Sequence, residues 1–137
     1  MKAYIAVSYS QREMLKDVLE AMVATLQENK IEVLVFAAAY SFTAAQEKEM
    51  MQQAMAAIDA CDLLIAETSC KAIGVGLEAG YAKAKQKPVI YMRQQQAAHS
   101  TTVSGISDIA IIYSNTRQLQ EMLTDALLQL NLLPGKK

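Results

Sequence analysis

Short apolar segments alternate with longer amphipathic segments along this chain, and this alternation most constrains its fold. Each apolar segment has the length of a strand and is apolar on both faces. Apolar residues at helical spacing separate the first four segments and follow the last. The pattern therefore predicts the order βαβαβαβ, a long loop, and then βα. The predicted strands cover residues 4–7, 31–36, 63–66, 88–92 and 109–113.

Strands of this kind, joined by helices, predict a parallel sheet with helices on both faces. Because such crossovers are right-handed, we expect an α/β doubly wound five-stranded parallel sheet of the flavodoxin-like or Rossmann-like type. The 137 residues suffice for a single domain, expected over residues 1–132, with a flexible tail at residues 133–137. Capping boxes predict the starts of three helices: Ser10 with Glu13, Thr43 with Gln46, and Asn115 with Gln118.

The charge of the chain argues against nucleic acid and membrane surfaces as partners. The 13 basic and 14 acidic residues are spread along the sequence and give a net charge of −1. No apolar stretch approaches about 20 residues, the length needed to span a membrane.

Cys61 and Cys70 flank a predicted buried strand, which favours packing residues in a cytoplasmic protein over a disulfide. His99 is the only histidine, and we expect neither a metal nor a cofactor.

Ligands of open α/β sheets bind at the carboxyl ends of the strands, where the strand order reverses. This rule nominates residues 8–10, 37–43, 67–76 and 93–105. In the third of these segments, Gly74 and Gly76 flank a predicted helix start, where backbone N–H groups and the helix dipole suit an anion such as a phosphate. Glu78 follows in the first predicted turn. The alternatives are glycines that let the helix pack on the sheet and a glutamate that complements the dipole.

Residues 59–92 carry a more specific pattern, DACDLLIAETSCKAIGVGLEAGYAKAKQKPVIYM. It contains the step Cys61-Asp62, a predicted strand that ends in Ala66-Glu67, and the sequence GVGLEAGYA from Gly74 onward. This combination resembles the core motif of the nucleoside 2-deoxyribosyltransferase family, and most closely its 2'-deoxynucleoside 5'-monophosphate N-glycosidase branch. The resemblance extends more loosely over the whole chain and implies the same doubly wound fold.

The resemblance implies that Glu78 is a nucleophile that attacks the anomeric carbon of a deoxyribose. An oxocarbenium-like transition state needs a carboxylate against one face of the sugar, and water or a second base then resolves the glycosyl-enzyme. Tyr4 matches the first-strand tyrosine of the family, and we expect its hydroxyl to orient Glu78. A tyrosine that only packs at the start of the strand is the alternative.

The family pattern breaks on the second predicted helix. The family has an aspartate there, eight residues before the motif aspartate, which helps to protonate the departing base; this chain has Ala54. Loss of a general acid commonly costs about 10²- to 10⁴-fold in rate. Asp59 is expected to point elsewhere, and Glu47 lies about 10 Å from Ala54 along the helix axis, so neither is a convincing substitute.

Nine residues are candidates for substrate binding. Lys71 offers a charge and Ser69 a hydroxyl where the nucleotide-specific branch of the family has Pro-Ser. Tyr9 offers a ring for base stacking, with an exposed turn residue as the alternative, and Arg93 offers a charge for an anion unless it is merely solvated. The resemblance implies that the hydroxyls of Ser100 and Thr102, which follow His99, contact a phosphate. The complete set is Ser8, Tyr9, Ser69, Lys71, Gly74, Gly76, Arg93, Ser100 and Thr102.

Three functions are compatible with these residues, each with a small-molecule nucleoside or nucleotide as partner. The first is a nucleoside 2-deoxyribosyltransferase or a deoxynucleoside (5'-monophosphate) N-glycosidase. The second is a binding protein of the same fold that has lost turnover, as Ala54 indicates. The third cleaves another N-glycoside such as NAD, whose nicotinamide leaves without protonation. We also expect a homodimer, because resembling proteins complete their sites with a neighbour's loop and the second helix exposes methionines: Met50, Met51 and Met55.

Overall fold

The computed structural model describes residues 1–133 of the chain and contains five strands joined by helices. Residues 134–137, most of the predicted flexible tail, lie outside the described residues. A short 3-10 helix, Ala44–Gln46, leads into the third α-helix. The strands are β1 (Lys2–Ala6), β2 (Glu32–Val35), β3 (Leu63–Glu67), β4 (Val89–Gln94) and β5 (Ile109–Tyr113). The α-helices are α1 (Lys16–Glu28), α2 (Phe36–Ala39), α3 (Glu47–Asp59), α4 (Ile73–Ala84), α5 (Thr101–Ile106) and α6 (Thr116–Gln129).

The five strands are parallel and lie in the order β2-β1-β3-β4-β5, which confirms the predicted doubly wound, flavodoxin-like sheet. The observed strand ends differ from the predicted ones by about two residues at most. The strand order reverses between β1 and β3. The chain leaves β1 toward one face of the sheet and leaves β3 toward the other, so a crevice opens between these two strand ends.

Helices cover both faces of the sheet, as predicted. Successive residues of a strand point to opposite faces, so each strand contributes to two separate cores. The core under α1 and α6 includes Ile5, Ile65 and Met92. The core under α3, α4 and α5 includes Tyr4 and Ala66. Tyr4 therefore faces the layer that contains α4.

The edge strand β5 departs from the expectation of burial on both faces. Ile111 and Tyr113 are buried on the side that α6 covers. On the opposite side, Ile112 is 39% exposed. The short helix α5 packs against β4, its neighbour, and leaves this side of β5 uncovered.

The start of α1 also differs from the prediction. Residues 9–15 form turns, and the helix begins at Lys16. The Ser10 hydroxyl lies 3.4 Å from that of Ser8 and caps no helix, so the predicted box of Ser10 with Glu13 is wrong. The chain first has to turn away from β1 before Leu15, which is buried, can enter the core. An Arg12 guanidinium N–H donates to the Tyr9 carbonyl at 2.6 Å within this turn.

The other two predicted helix starts are present. The backbone N–H of Thr43 donates to Gln46 Oε1 at 2.8 Å, although the first turn here is a 3-10 turn. The backbone N–H of Gln118 donates to Asn115 Oδ1 at 2.8 Å. The predicted long loop is partly helical, because Ser100 accepts from a backbone N–H of α5 and caps it.

Both cysteines are free thiols, with Cys61 buried and Cys70 half-buried. No helix within residues 1–133 has the length and apolar character needed to cross a membrane. In the same range, the structure brings no three His, Cys, Asp or Glu side chains together in a cluster suited to a metal ion.

Candidate functional site

A cavity of about 630 Å³ opens at the carboxyl ends of β1 and β2, between α3 and the start of α4. This is the crevice at the reversal of strand order, where open α/β sheets bind ligands. Its volume lies within the usual range of small-molecule sites. Three of the four segments nominated from the sequence contribute to its lining: residues 8–10, 37–43 and 67–76.

Glu78 reaches this cavity from α4. The helix begins at Ile73, with Ala72 as its N-cap. Glu78 therefore lies in the second turn of the helix, whereas the sequence predicted the first turn. Val75 and Ala79 are buried against the sheet and hold that face of α4 over β1 and β3. Small side chains at these positions allow the helix to approach the sheet closely, which brings Glu78 to the end of β1.

The Tyr4 hydroxyl donates a hydrogen bond to Glu78 Oε2, although 74 residues separate the two side chains in sequence. Tyr4 lies in β1 and is completely buried. Burial, together with the neighbouring Glu78 carboxylate, raises the pKa of Tyr4 well above its ordinary value. The phenol therefore stays protonated over the working pH range and remains a donor to Glu78.

Burial raises the pKa of Glu78 to about 7, and the hydrogen bond from Tyr4 opposes part of this rise. The carboxyl group is thus poised between its charged and neutral forms near neutral pH. Tyr4 holds the oxygen Oε2 of this carboxyl group. The other oxygen, Oε1, has no such partner and is available for chemistry.

Gly74 is the glycine closest to that second oxygen. A β-carbon placed on Gly74 would lie 3.7 Å from Glu78 Oε1, in van der Waals contact. A β-carbon on Gly76 or Gly80 would meet nothing within 4 Å. Of the predicted glycines, Gly74 is therefore the one whose missing side chain affects the carboxylate, whereas Gly80 has no close packing to explain it.

An aromatic wall, formed by Phe36, Tyr40 and Phe42, faces the cavity. The ring centroids of Phe36 and Tyr40 are 4.8 Å apart, and those of Phe36 and Tyr4 are 5.9 Å apart. This wall was not predicted from the sequence. The available signal was compositional, because the chain has only two phenylalanines and both lie in residues 36–42.

The third side of the cavity is one face of α3. Met50 and Met51, two of the methionines that we expected at a contact with a second subunit, line the cavity. Ala54, where the sequence resemblance implies an aspartate in the family, is only 3% exposed and also lines it. Glu47, rejected as a substitute on sequence grounds, lies on the same face and lines the same cavity as Glu78. Spacing along α3 alone underestimated how far the cavity extends.

Ser8, Tyr9 and Lys71 line the cavity as predicted candidates for substrate binding. Ser8 is buried at the end of β1. Tyr9 is 51% exposed, and the Arg12 guanidinium lies 4.2 Å from its ring centroid, so one face of this ring is already occupied. Lys71 is exposed and borders a second cavity as well.

The second cavity, of about 360 Å³, lies on the other side of the segment that follows β3. Gly76, Ser100 and Thr102 line this cavity and not the one that contains Glu78. The Ser100 hydroxyl accepts from the Val103 N–H at 3.3 Å as the cap of α5. The structure therefore separates these three candidates from the carboxylate within one subunit.

Ser69 and Arg93 line neither cavity. The Ser69 hydroxyl accepts from the Gln94 N–H at 2.8 Å. The Arg93 guanidinium donates to the carbonyls of Gln94, Gln95 and Ala97 at 3.0, 3.0 and 3.2 Å. Both side chains thus brace the segment between β4 and α5.

Glu67, the end of the motif strand, is buried on the far side of the sheet from Tyr4. Its carboxylate accepts from the Tyr113 hydroxyl and from the Ser69 N–H, each at 2.5 Å. Burial raises the pKa of Glu67, and these two bonds oppose the rise. Asp59 accepts from the Tyr81 hydroxyl at 2.9 Å outside the cavity and points elsewhere, as we expected.

The model of the family described as nucleoside 2-deoxyribosyltransferase matches residues 3–132. Similar structures include a CMP N-glycosidase from Clostridium botulinum, with 20% identity, a TM-score of 0.68, and coverage of 90% of this chain and 99% of that one. A 2-deoxyribosyltransferase from Bacillus psychrosaccharolyticus has 15% identity and a TM-score of 0.66, over 88% and 90% of the two chains. A conserved protein from Enterococcus faecalis has 19% identity and a TM-score of 0.69, over 93% and 99%. No curated protein sequence matches the chain significantly.

Proposed function

The chain belongs to the nucleoside 2-deoxyribosyltransferase family, and from this we propose that it cleaves the N-glycosidic bond of a deoxynucleoside or its 5'-monophosphate. The observation that carries the proposal is the Glu78 carboxylate, held by Tyr4 and directed into a cavity of suitable size. In the proposed reaction Glu78 is the nucleophile and Tyr4 its orienting partner.

The first step forms a bond between Glu78 Oε1 and the anomeric carbon. The bond from that carbon to the base breaks, its electron pair moves onto the base, and the product is a glycosyl ester of Glu78. Water then releases the sugar in an N-glycosidase, whereas a second base takes it in a transferase. Only the ionised form of Glu78 can attack, so a pKa of about 7 requires kcat/KM to rise with pH through neutrality in the free enzyme.

The lining of the cavity supports the assignment of substrate parts. Planar bases stack on aromatic side chains, which the wall of Phe36, Tyr40 and Phe42 offers. We assign Ser8, Tyr9 and Gly74 to the nucleoside. Lys71 and the backbone N–H groups at the start of α4 are suited to a 5'-phosphate.

We further propose that the protein is a cytoplasmic homodimer. Its two free thiols suit a reducing compartment.

The candidate contact between subunits lies on α4. There Ile73 is 86% exposed and Leu77 is 58% exposed, and residues four apart share one helix face. This apolar face adjoins Glu78 and is a candidate contact between subunits. Sedimentation at micromolar concentration tests the dimer, and a monomer contradicts it.

A binding protein without turnover is the second candidate, and Ala54 is the observation that favours it. Ala54 lines the cavity but has no proton to give to a departing base. The two candidates share the fold and the cavity and differ only in whether base is released.

Incubation with a panel of deoxynucleosides and deoxynucleoside 5'-monophosphates, followed by chromatography of the free bases, tests the proposed function. We expect release by the wild type, loss of release in Glu78→Gln, and normal release in Glu20→Gln. Glu20 is an exposed carboxylate on α1, on the opposite face of the sheet, and is the matched control. Binding without any release by folded wild type would favour the second candidate.

A further inference from the structure

The cavity has no buried acid where the aromatic wall meets α3. Phe36 and Ala54 belong to one buried apolar cluster there, and Ala54 has no proton to give. Among the described residues of the lining, the carboxyl groups belong to Glu78, which is the proposed nucleophile, and to Glu47, which is exposed to solvent at the first position of α3. A base that needs a proton in order to leave therefore finds no buried carboxylic acid at this end.

The three rings of the aromatic wall form one continuous surface. The ring centroid of Phe42 lies 6.1 Å from that of Phe36 and 6.2 Å from that of Tyr40, and Tyr40 is 43% exposed. The faces of such rings attract cations. Within residues 1–133, the cations of the protein itself lie over Tyr9 and Tyr81, so the wall is free to take a cation from a ligand.

The charged side chains of the cavity favour a cation as well. The lining contains the carboxyl groups of Glu47 and Glu78 against the single ammonium group of Lys71. None of the ion pairs formed within the described part of the chain includes any of these three side chains. With Lys71 assigned to a 5'-phosphate, a cation beside the wall meets aromatic faces and negative charge that no neighbouring cation compensates.

We propose that the substrate is a deoxynucleoside or its 5'-monophosphate whose base carries a fixed positive charge, as a purine alkylated at N7 does. The inference rests on the proposed function and specifies its substrate class. A fixed charge accounts for the wall and for Ala54 together. The wall binds the charged base, and the charge removes the need for an acid.

The bond changes balance without a proton donor. Glu78 Oε1 forms a bond to the anomeric carbon while the bond from that carbon to N9 of the purine breaks. The electron pair of the broken bond moves onto N9 and neutralises the positive charge of the alkylated ring, so the base leaves as a neutral molecule. Water then hydrolyses the ester, which returns the Glu78 carboxylate and releases the sugar and one proton.

The turnover test compares 7-methyl-2'-deoxyguanosine 5'-monophosphate with 2'-deoxyguanosine 5'-monophosphate, with the spontaneous loss of each base subtracted. In the wild type we expect kcat/KM to be at least about 100-fold higher for the methylated substrate, the usual contribution of a general acid that the neutral base lacks here. Because the methylated base also leaves more readily in water, Ala54→Asp provides the control. The new acid should raise release from the neutral substrate by about tenfold or more and give no comparable gain with the methylated one.

A binding test separates affinity for the charge from reactivity. Calorimetry in Glu78→Gln compares the methylated nucleotide with its 7-methyl-7-deaza analogue, which has the same shape and no charge. We expect the charged compound to bind about 3- to 30-fold more tightly, the range that cation–π attraction supports. Tyr40→Leu should reduce this preference, and Tyr40→Phe, which keeps a ring at position 40, should retain it.

The two tests also separate this inference from the proposed function. Equal kcat/KM values for the two substrates, equal gains from Ala54→Asp, or equal Kd values for the charged compound and its deaza analogue overturn the inference and leave the proposed cleavage standing. Failure of the wild type to release base from either substrate overturns the proposed cleavage instead. The calorimetric comparison then decides whether the cavity recognises a charged base.

Discussion

Replacement of Glu78 by glutamine is expected to stabilise the folded protein at alkaline pH while it abolishes base release. Burial raises the pKa of Glu78 from its ordinary value of 4.5 to about 7. A group whose pKa is higher in the folded chain than in the unfolded chain contributes stability that is complete below pH 4.5 and is lost as the pH rises through 7. Above pH 7 the ionised side chain therefore costs the folded state free energy that a neutral amide does not.

The expected cost is about 3 kcal/mol, because a tenfold change in a proton-binding constant corresponds to about 1.4 kcal/mol. For a chain of this length, 1 kcal/mol changes Tm by about 4 °C, so the variant should melt about 10 °C higher at pH 9. Glutamine has nearly the same shape as glutamate and still offers Tyr4 an acceptor, so no cavity or unpaired hydroxyl is created.

Urea unfolding of the wild type and Glu78→Gln at pH 4, 6, 8 and 9 measures this effect. We expect the two free energies of unfolding to agree at pH 4 and to diverge as the pH rises. Burial raises the pKa of Glu67, while the Lys83 side chain and the Val89 N–H lower that of Asp108, but both groups are present in both proteins and cancel in the difference. A difference that stays constant from pH 4 to 9, or a wild type that is more stable at pH 9, would refute the reasoning.

Three further substitutions test the geometry of the site. Tyr4→Phe should move the acid limb of kcat/KM to a pH above 7 and lower activity at pH 7 by about tenfold, because the Tyr4 bond holds the pKa of Glu78 down; a limb at the wild-type pH contradicts an orienting role. Gly74→Ala should lower kcat/KM, because the added methyl group contacts Oε1. Gly80→Ala should leave the kinetics unchanged and raise the free energy of unfolding by about 1 kcal/mol. Equal kinetic effects of the two substitutions would contradict the role of Gly74. Ala54→Asp should raise base release at least about tenfold by supplying an acid, at a cost in stability of about 1 to 3 kcal/mol for a buried polar group; no gain in rate by a folded variant argues that position 54 does not face the leaving base.

The sheet could be predicted from the sequence because its signal is local and repeated. Each strand is a short apolar run, and the run at residues 63–66 is buried on both faces in the interior of the sheet. The handedness of crossovers then restricts the strand order to a few possibilities, one of which is the flavodoxin-like order that the structure has. The Tyr4 and Glu78 pair came from a resemblance, and the structure brings the two side chains together.

Features that depend on how the chain leaves the sheet were not predictable. Ser10 and Glu13 have the spacing of a capping box, yet the chain has to turn there until Leu15 reaches the core. The expectation that both faces of β5 are buried was wrong for a similar reason. Whether a helix covers Ile112 depends on the length of α5 and not on Ile112 itself.

The lining of the cavity was predictable only in part. Phe36 and Tyr40 are four positions apart, as on one helix face, but Phe42 lies beyond the end of the short helix α2. The convergence of all three rings is therefore a tertiary feature. Arg93 illustrates the opposite error. A cation after a strand suggests an anion site, but three backbone carbonyls of its own loop engage this guanidinium.

The glycosyl ester on Glu78 is the most direct test of the account. Wild type mixed with a substrate that it turns over is quenched in acid within one turnover, digested, and analysed by mass spectrometry. The account predicts a peptide containing Glu78 that carries the mass of the sugar, and no base release by Glu78→Gln. Base release that continues in Glu78→Gln, with no sugar attached to the Glu78 peptide of the wild type, would contradict it.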